Sequence, residues 1–205
     1  MESAVNICSY ASIRDGKVTL KGDTLFEGRQ SDFAEFIKAA YKSFGLKYPK
    51  FFKMDNLSKL AFLTAEAILK NEQLNLDAEN NIAIVLSNRA SSLDTDRAHQ
   101  TSIQNKEKYY PSPAVFVYTL PNICIGEISI KYKLYSENSF FIFDRFNADH
   151  LLTSANSLLE SGKADQVLCG WVDYDTDDYE AFLYLVSKNS GLPHTREQIL
   201  TLYNT

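Results

Sequence analysis

The sequence predicts an α/β domain, because strand-like and helix-like apolar patterns alternate along it. Two stretches carry most of that prediction. Residues 82–86 are a continuous apolar run with the composition of a strand buried on both faces. Residues 56–71 place Leu57, Leu60, Ala61, Thr64, Ala65, Ile68 and Leu69 on one broad stripe at helical spacing.

The remaining elements follow in order. Residues 5–13 read as the first strand, with Ile7 and Tyr10 among its apolar positions, and a turn at Asp15-Gly16 leads to a short strand at 17–20. Residues 32–44 have helical spacing, with Phe33, Phe36, Ile37, Ala40 and Tyr41 on one face. Ser31 or Asp32 is placed to cap that helix and Gly45 to end it. After the helix at 56–71 come a polar loop at 77–81, the buried strand at 82–86, and a polar loop with a helical piece at 91–108. Pro111-Ser112-Pro113 opens residues 114–120, and Pro121 opens the helix at 122–132. Proline is tolerated at a helix start because the N–H it lacks would be unpaired there. Residues 140–143 form a short apolar strand, 147–161 a helix ended by Gly162, 167–171 another buried strand, and 181–187 the last one. No repeat, low-complexity tract or linker divides the chain. Residues 1–189 therefore read as one domain and 190–205 as a C-terminal tail with room for one short helix.

Composition removes several classes of function. The 205 residues are 45% hydrophobic and 23% charged, the balance of a globular domain able to bury its own core. No apolar run approaches the ~20 residues a membrane span needs, and the N-terminus lacks the basic start and apolar stretch of a signal peptide. Cys8, Cys124 and Cys169 show no paired spacing, so neither a disulfide framework nor a zinc knuckle is indicated. The expected compartment is the reducing cytoplasm, and no cofactor or metal is implied. A formal net charge of -5 with only short basic clusters argues against nucleic acid. The 13 Phe and 12 Tyr fit a core and interfaces better than a base-stacking platform. The acidic run Asp173, Asp175, Asp177, Asp178 and Glu180 lacks a calcium-loop pattern and reads as a solvated connection between strands.

Three strings carry a family resemblance. Phe52-Lys53-Met54-Asp55-Asn56-Leu57-Ser58-Lys59-Leu60-Ala61 resembles a basic-Met-Asp segment leading into an apolar helix. Leu120-Pro121-Asn122-Ile123-Cys124-Ile125-Gly126-Glu127-Ile128-Ser129-Ile130, continued by Tyr132-Lys133-Leu134, resembles a Leu-Pro-Asn helix. Leu159-Glu160-Ser161-Gly162-Lys163-Ala164-Asp165-Gln166-Val167-Leu168-Cys169-Gly170 resembles a Ser-Gly-x-Ala-Asp lead into a buried strand. In this order and spacing they are similar to the N-terminal half of the β-ketoacyl (3-oxoacyl-acyl-carrier-protein) synthases. The resemblance implies a thiolase-like half: a five-stranded mixed sheet in order 3-2-1-4-5, strand 5 antiparallel, with helices on both faces. A complete member of the family is roughly twice as long.

The same resemblance locates a departure. Family enzymes place a nucleophilic cysteine at the start of a buried helix, where dipole and free N–H groups lower its pKa and hold the oxyanion. Counting back from Ser161-Gly162 and forward from Leu134, that position falls on Arg145, with Asp144 and Phe146 beside it. His150 lands on a family histidine that is not catalytic. A guanidinium stays protonated and cannot attack a thioester. Asp144 is placed to cap the helix and offset the charge. The histidines that decarboxylate the malonyl donor lie in the family's second half, and His99, His150 and His194 match no such motif. Cys8, Cys124 and Cys169 read as strand and helix core positions.

The expected function is that of a non-catalytic ketosynthase-like subunit in fatty-acid, polyketide or aryl-polyene-type biosynthesis, comparable to a chain-length factor. The alternatives are an acyltransferase or thioesterase with an unrecognised site, or a stand-alone module binding acyl chains or carrier protein. The family dimerises by pairing the strand before the nucleophile with its twin. That strand is here Phe140, Phe141, Ile142 and Phe143, which implies a homodimer or a heterodimer with a complete ketosynthase. Acyl carrier protein is a further candidate partner. In the helix at 147–161, Leu151, Leu152, Ala155, Leu158 and Leu159 should face the sheet, and Asp149, Thr153, Asn156 and Glu160 should be wet.

Overall fold

The structure is a computed structural model that describes residues 5–28, 32–72 and 74–205. Its centre is the hairpin of β6 (Gln166–Asp175) and β7 (Asp178–Ser187), joined by Thr176 and Asp177, both with positive φ. Two successive left-handed residues make the kind of turn that matches strand twist, so the pairing runs unbroken from Asp175↔Asp178 to Gln166↔Ser187. On one side β6 pairs in parallel with β4 (Ile82–Asn88), and β4 with β5 (Asn138–Ile142), which ends the sheet. On the other side β7 pairs antiparallel with β1 (Asn6–Arg14), and the sheet continues through β2 (Lys17–Leu20) and β3 (Asp23–Glu27). A short β8 (Leu192–Pro193) also pairs with β1.

The sheet therefore has eight strands and not five. The expected order 3-2-1-4-5 is also corrected. The five expected strands stand in the order 3-2-4-5-1, while the fifth is antiparallel to both neighbours as expected. The reason is local: β4 bonds β6 directly from Ile82↔Gln166 to Ser87↔Trp171, so no first strand can lie between them. The two-residue turn keeps β7 beside β6, and the open edge of β7 is then the place left for β1. The acidic run does connect two strands, with Asp177 and Asp178 exposed at the turn of this hairpin, but its ends belong to the strands themselves, and Asp173 is 8% exposed.

Helices cover both faces. One face carries α1 (Phe33–Ser43), a 3-10 helix at Pro49–Lys53, α2 (Asn56–Leu69), α3 (Leu93–Ile103), α4 (Pro113–Val117) and α5 (Ile123–Tyr132). The other carries α6 (Ala148–Glu160) and α7 (Arg196–Tyr203). β1 feeds both cores because an irregularity between Ile7 and Ser9 shifts its register. Ile7 packs on the α6 side, whereas Ala11 and Ile13 pack under α2. Asp32 caps α1 by accepting the Glu35 N–H at 2.8 Å; the other candidate cap, Ser31, lies outside the described residues. On α6, Leu151, Ala155 and Leu159 are buried. Asn156 is not simply wet: its Oδ1 meets His194 Nδ1 at 3.0 Å. Residues 190–205 add β8 and α7, and Ile199 of α7 is fully buried.

A polar seam runs between α2 and α5. The Lys131 ammonium pairs with the Glu66 carboxylate, which also accepts from the Tyr132 hydroxyl at 2.7 Å. Lys50 pairs with Glu127 at 2.7 Å, and the Tyr118 hydroxyl donates to the other Glu127 oxygen at 2.8 Å. Glu66 and Glu127 are 2% and 4% exposed, charges that a core tolerates only when paired. No helix of the described residues is long and apolar enough to cross a membrane.

Candidate functional site

Arg145 lies in the connection from β5 to α6, beyond the C-terminal end of parallel strands. Crevices outside strand C-termini are where open α/β sheets bind ligands. Asp144 does not cap the helix. The cap is Asn147, whose Oδ1 accepts the His150 N–H at 3.0 Å. Asn147 carries the right side chain one position before Ala148, while Asp144 lies too far upstream to reach the first turn. Arg145 thus sits outside the helix, exposed, and among the described residues makes no ion pair.

Two solvent-open cavities flank it. One of about 260 Å³ is walled by Arg89, Arg145, Phe146, Trp171, Glu180 and Tyr203. The second, of about 560 Å³, lies between Arg145, Asn147, Asp149, Arg196 and Leu200. Aromatic rings fill the space beside Arg145. Phe146 stacks on Tyr203 at 4.0 Å between centroids and meets Phe182 at 5.9 Å and Trp171 at 6.4 Å, edge-on. Tyr203 is pinned in turn: its hydroxyl donates to Glu180, its carbonyl accepts from Arg14 Nη1 at 2.6 Å, and the Arg14 guanidinium lies 4.9 Å over its ring. Burial, and then the Glu180 bond, push the Tyr203 hydroxyl well above the usual phenol range.

Asp173 and Asp175, near this cleft, are committed to local partners. Asp173 Oδ1 accepts the backbone N–H groups of Arg89 at 3.0 Å and Ala90 at 2.9 Å, and Oδ2 lies 3.3 Å from the Arg89 guanidinium. The bond from Arg97 holds the Asp175 carboxyl below the usual range. Among the described residues no three His, Cys, Asp or Glu side chains group to hold a metal ion.

Nucleophilic chemistry needs a nucleophile, a base, and a group orienting the base. Cys124 and Cys169 are fully buried, and burial drives both thiols up, away from the reactive thiolate. Cys8 lies 3.0 Å from the Ser187 hydroxyl. His194 is 7% exposed, and burial lowers its pKa to about 4, so it is neutral. His99 packs 5.3 Å from Phe116. His150 sits edge-on to Phe141 at 4.2 Å and Phe143 at 5.0 Å; its Nε2 is 3.4 Å from Ser154 Oγ, one helical turn on. No carboxylate orients that ring among the described residues, so the contact is a helix-surface pair and not a catalytic one.

β5, with Phe140, Phe141 and Ile142, occupies the edge of the sheet, and Phe143 follows it, its N–H bonded to Asn88 O at 2.9 Å. Ile142 is 49% exposed. Arg89, Trp171, Glu180 and Tyr203 were not foreseen as neighbours of Arg145. They come from four separate stretches, and the only hint in sequence was the chain's single Trp next to Gly170.

No family model matches the sequence, and no curated protein does. Solved structures do match in shape. One is a chain of the ketosynthase–chain length factor complex from Xenorhabdus doucetiae, with 15% identity over 98% of this chain and 90% of that chain and a TM-score of 0.64. Another is the ishigamide ketosynthase/chain length factor, with 15% identity over 90% of this chain and 62% of that one, TM-score 0.62. A third is a type II polyketide acyl-carrier protein in complex with its ketosynthase, with 13% identity, 90% and 62% coverage, TM-score 0.63. The chain spans most of the first matched chain and about three-fifths of the other two. It has the thiolase-like α/β fold of the ketosynthases.

Proposed function

We propose that the protein is a non-catalytic, ketosynthase-like accessory subunit that pairs with a complete ketosynthase in fatty-acid, polyketide or aryl-polyene-type biosynthesis. The observation that carries the reading is the cleft at Arg145. Where related enzymes are expected to hold an accessible cysteine, this chain holds a permanent cation, and Phe146, Trp171 and Tyr203 crowd the space an acyl group would need. Two of the three similar structures are ketosynthases with their chain length factors, which supports a partner of that kind. The edge position of β5 supports pairing through that strand, since an exposed edge with a half-exposed Ile142 is an association site. Acyl carrier protein enters the same reading as the substrate carrier of the partner enzyme.

The test is condensation of acyl- and malonyl-carrier protein by the pure protein, by the complete ketosynthase encoded nearest to it, and by both together. Silence from this chain alone, with altered product length or yield in the mixture, is the expected result. Turnover by this chain alone overturns the reading and returns attention to an unrecognised acyltransferase or thioesterase site.

A further inference from the structure

The last helix, α7, is fastened mainly at its two ends. β8 keeps the chain docked as far as Pro193 by pairing with Asn6 and Ile7, and Gly191 sits so close that a Cβ there would stand 2.4 Å from the Ile7 carbonyl oxygen. From His194 the chain leaves the sheet and enters α7, which Thr195 caps. Along its length α7 buries one residue completely, Ile199, and its Arg196–Asp149 pair is exposed. The far end is pinned by Tyr203, which stacks on Phe146 and bonds Glu180 and Arg14. Tyr203 walls the smaller cavity beside Arg145, and Arg196 and Leu200 wall the larger, so α7 closes both.

The near end is His194, 7% exposed, whose backbone N–H donates to the Val5 carbonyl at 3.2 Å. Its Nδ1 lies 3.0 Å from Asn156 Oδ1, which can only accept, so the ring proton sits on Nδ1. Nε2 is then a bare lone pair, buried, and among the described residues it has no hydrogen-bond partner. A proton arriving there would find no acceptor and would place a cation at the positive end of α7. The groups packed around the ring do not compensate. β7 presents the Tyr184 phenol at 5.7 Å between ring centroids, and β6 the Cys169 thiol, paired across the sheet from Tyr184. From α6 comes the neutral Asn156 amide and from β1 a carbonyl, while Arg196 and Glu197, the charged residues that follow in α7, are exposed. Burial alone acts on the ring and lowers its pKa from 6.5 to about 4.

We propose that His194 is an acid-operated latch: protonation of its Nε2 releases α7 from the sheet and uncovers the two cavities beside Arg145. With α7 docked the lone pair is sealed from water, and with α7 released the ring takes a proton, so acid and closure exclude one another. The opening is local, because β6 and β7 keep their full ladder without any contribution from α7. The proposal stands independently of the accessory-subunit reading.

The test is hydrogen exchange read by mass spectrometry on the full chain at pH 7 and pH 5, with each rate corrected for its intrinsic pH dependence. With the ring titrating at about 4 when docked and 6.5 when released, protection of residues 195–205 should fall about twentyfold between the two conditions. Protection of residues 166–187 should stay within about twofold. His194→Gln cannot take the proton and leaves Glu180 and Arg14 in place, so its α7 should keep its protection within about twofold over the same window. Acrylamide quenching of Trp171, the chain's single tryptophan and a wall of the smaller cavity, should rise at pH 5 in the native chain and not in the variant. Circular dichroism at both pH values checks folding, and His194→Asn replaces His194→Gln if that variant does not fold. Protection of α7 unchanged in the native chain, lost equally in the variant, or lost in step with residues 166–187 overturns the proposal.

Discussion

Lys131→Met should destabilise the protein by about 3–5 kcal/mol, because it strands a buried charge. The Glu66 side chain is 3% exposed and that of Lys131 16%, so neither is solvated by bulk water. With the ammonium gone, the Glu66 carboxylate keeps one hydroxyl donor, that of Tyr132 at 2.7 Å. Methionine preserves the length of the stem, and its thioether can rest where Lys131 Nζ now lies, 5.0 Å from the ring centroids of both Phe62 and Tyr132. Packing loss is therefore small and the stranded carboxylate dominates. Glu66→Gln/Lys131→Met removes both charges while keeping an amide oxygen for the Tyr132 hydroxyl, and should fall within about 1 kcal/mol of the native chain. Urea denaturation followed by circular dichroism measures this, with the m-value checked for constancy. At roughly 2–4 °C per kcal/mol for a chain of this size, the single variant should also lose about 6–20 °C in Tm. A single variant costing under about 1 kcal/mol, or a double variant as unstable as the single, would refute the argument.

Three further outcomes are expected. Burial holds His194 at about 4 against an ordinary 6.5, so between those pH values the unfolded chain binds a proton that the folded chain refuses. Stability should fall as pH drops through that window, by about 3 kcal/mol at the limit. In His194→Gln the urea midpoint should vary less over the window than in the native chain; equal slopes would contradict the assignment. Arg145→Cys should not create condensation activity, because Phe146, Trp171 and Tyr203 still crowd the cleft, and measurable turnover would show that access was never the obstacle. Ile142→Lys, at a 49% exposed edge position, should change stability by no more than about 0.5 kcal/mol while removing co-elution with the proposed ketosynthase partner. Co-elution unchanged in size-exclusion chromatography would take β5 out of the interface.

The cleft at Arg145 shows where reading from sequence stops. Asp144 looked like a cap because capping residues precede helices, yet Asn147 has the shorter reach and takes the role. Tyr203 looked like part of a tail, but the Arg14 bond to its carbonyl joins residues 189 positions apart, a separation no local pattern reports. β3 escaped notice because its residues Asp23 to Glu27 are mostly exposed, with Phe26 alone partly buried, so it lacks the alternation that marks a strand.

What the sequence determined by itself is what depends on nearest neighbours. The helix α2, the wholly buried β4, the glycine stops at Gly45 and Gly162 and the proline opening at Pro113 read correctly, because periodicity and backbone preference are local, whereas α2 is buried well beyond its stripe and Pro121 stands two residues before α5. The resemblance to ketosynthases is of the same kind, carried by three contiguous strings. The tertiary structure alone decided the order of the sheet, the company of Arg145 and the pairing of Glu66 with Lys131. Each of these rests on contacts between residues far apart in the chain, and which distant segments meet is settled by the folded chain's shared competition for one sheet and one core.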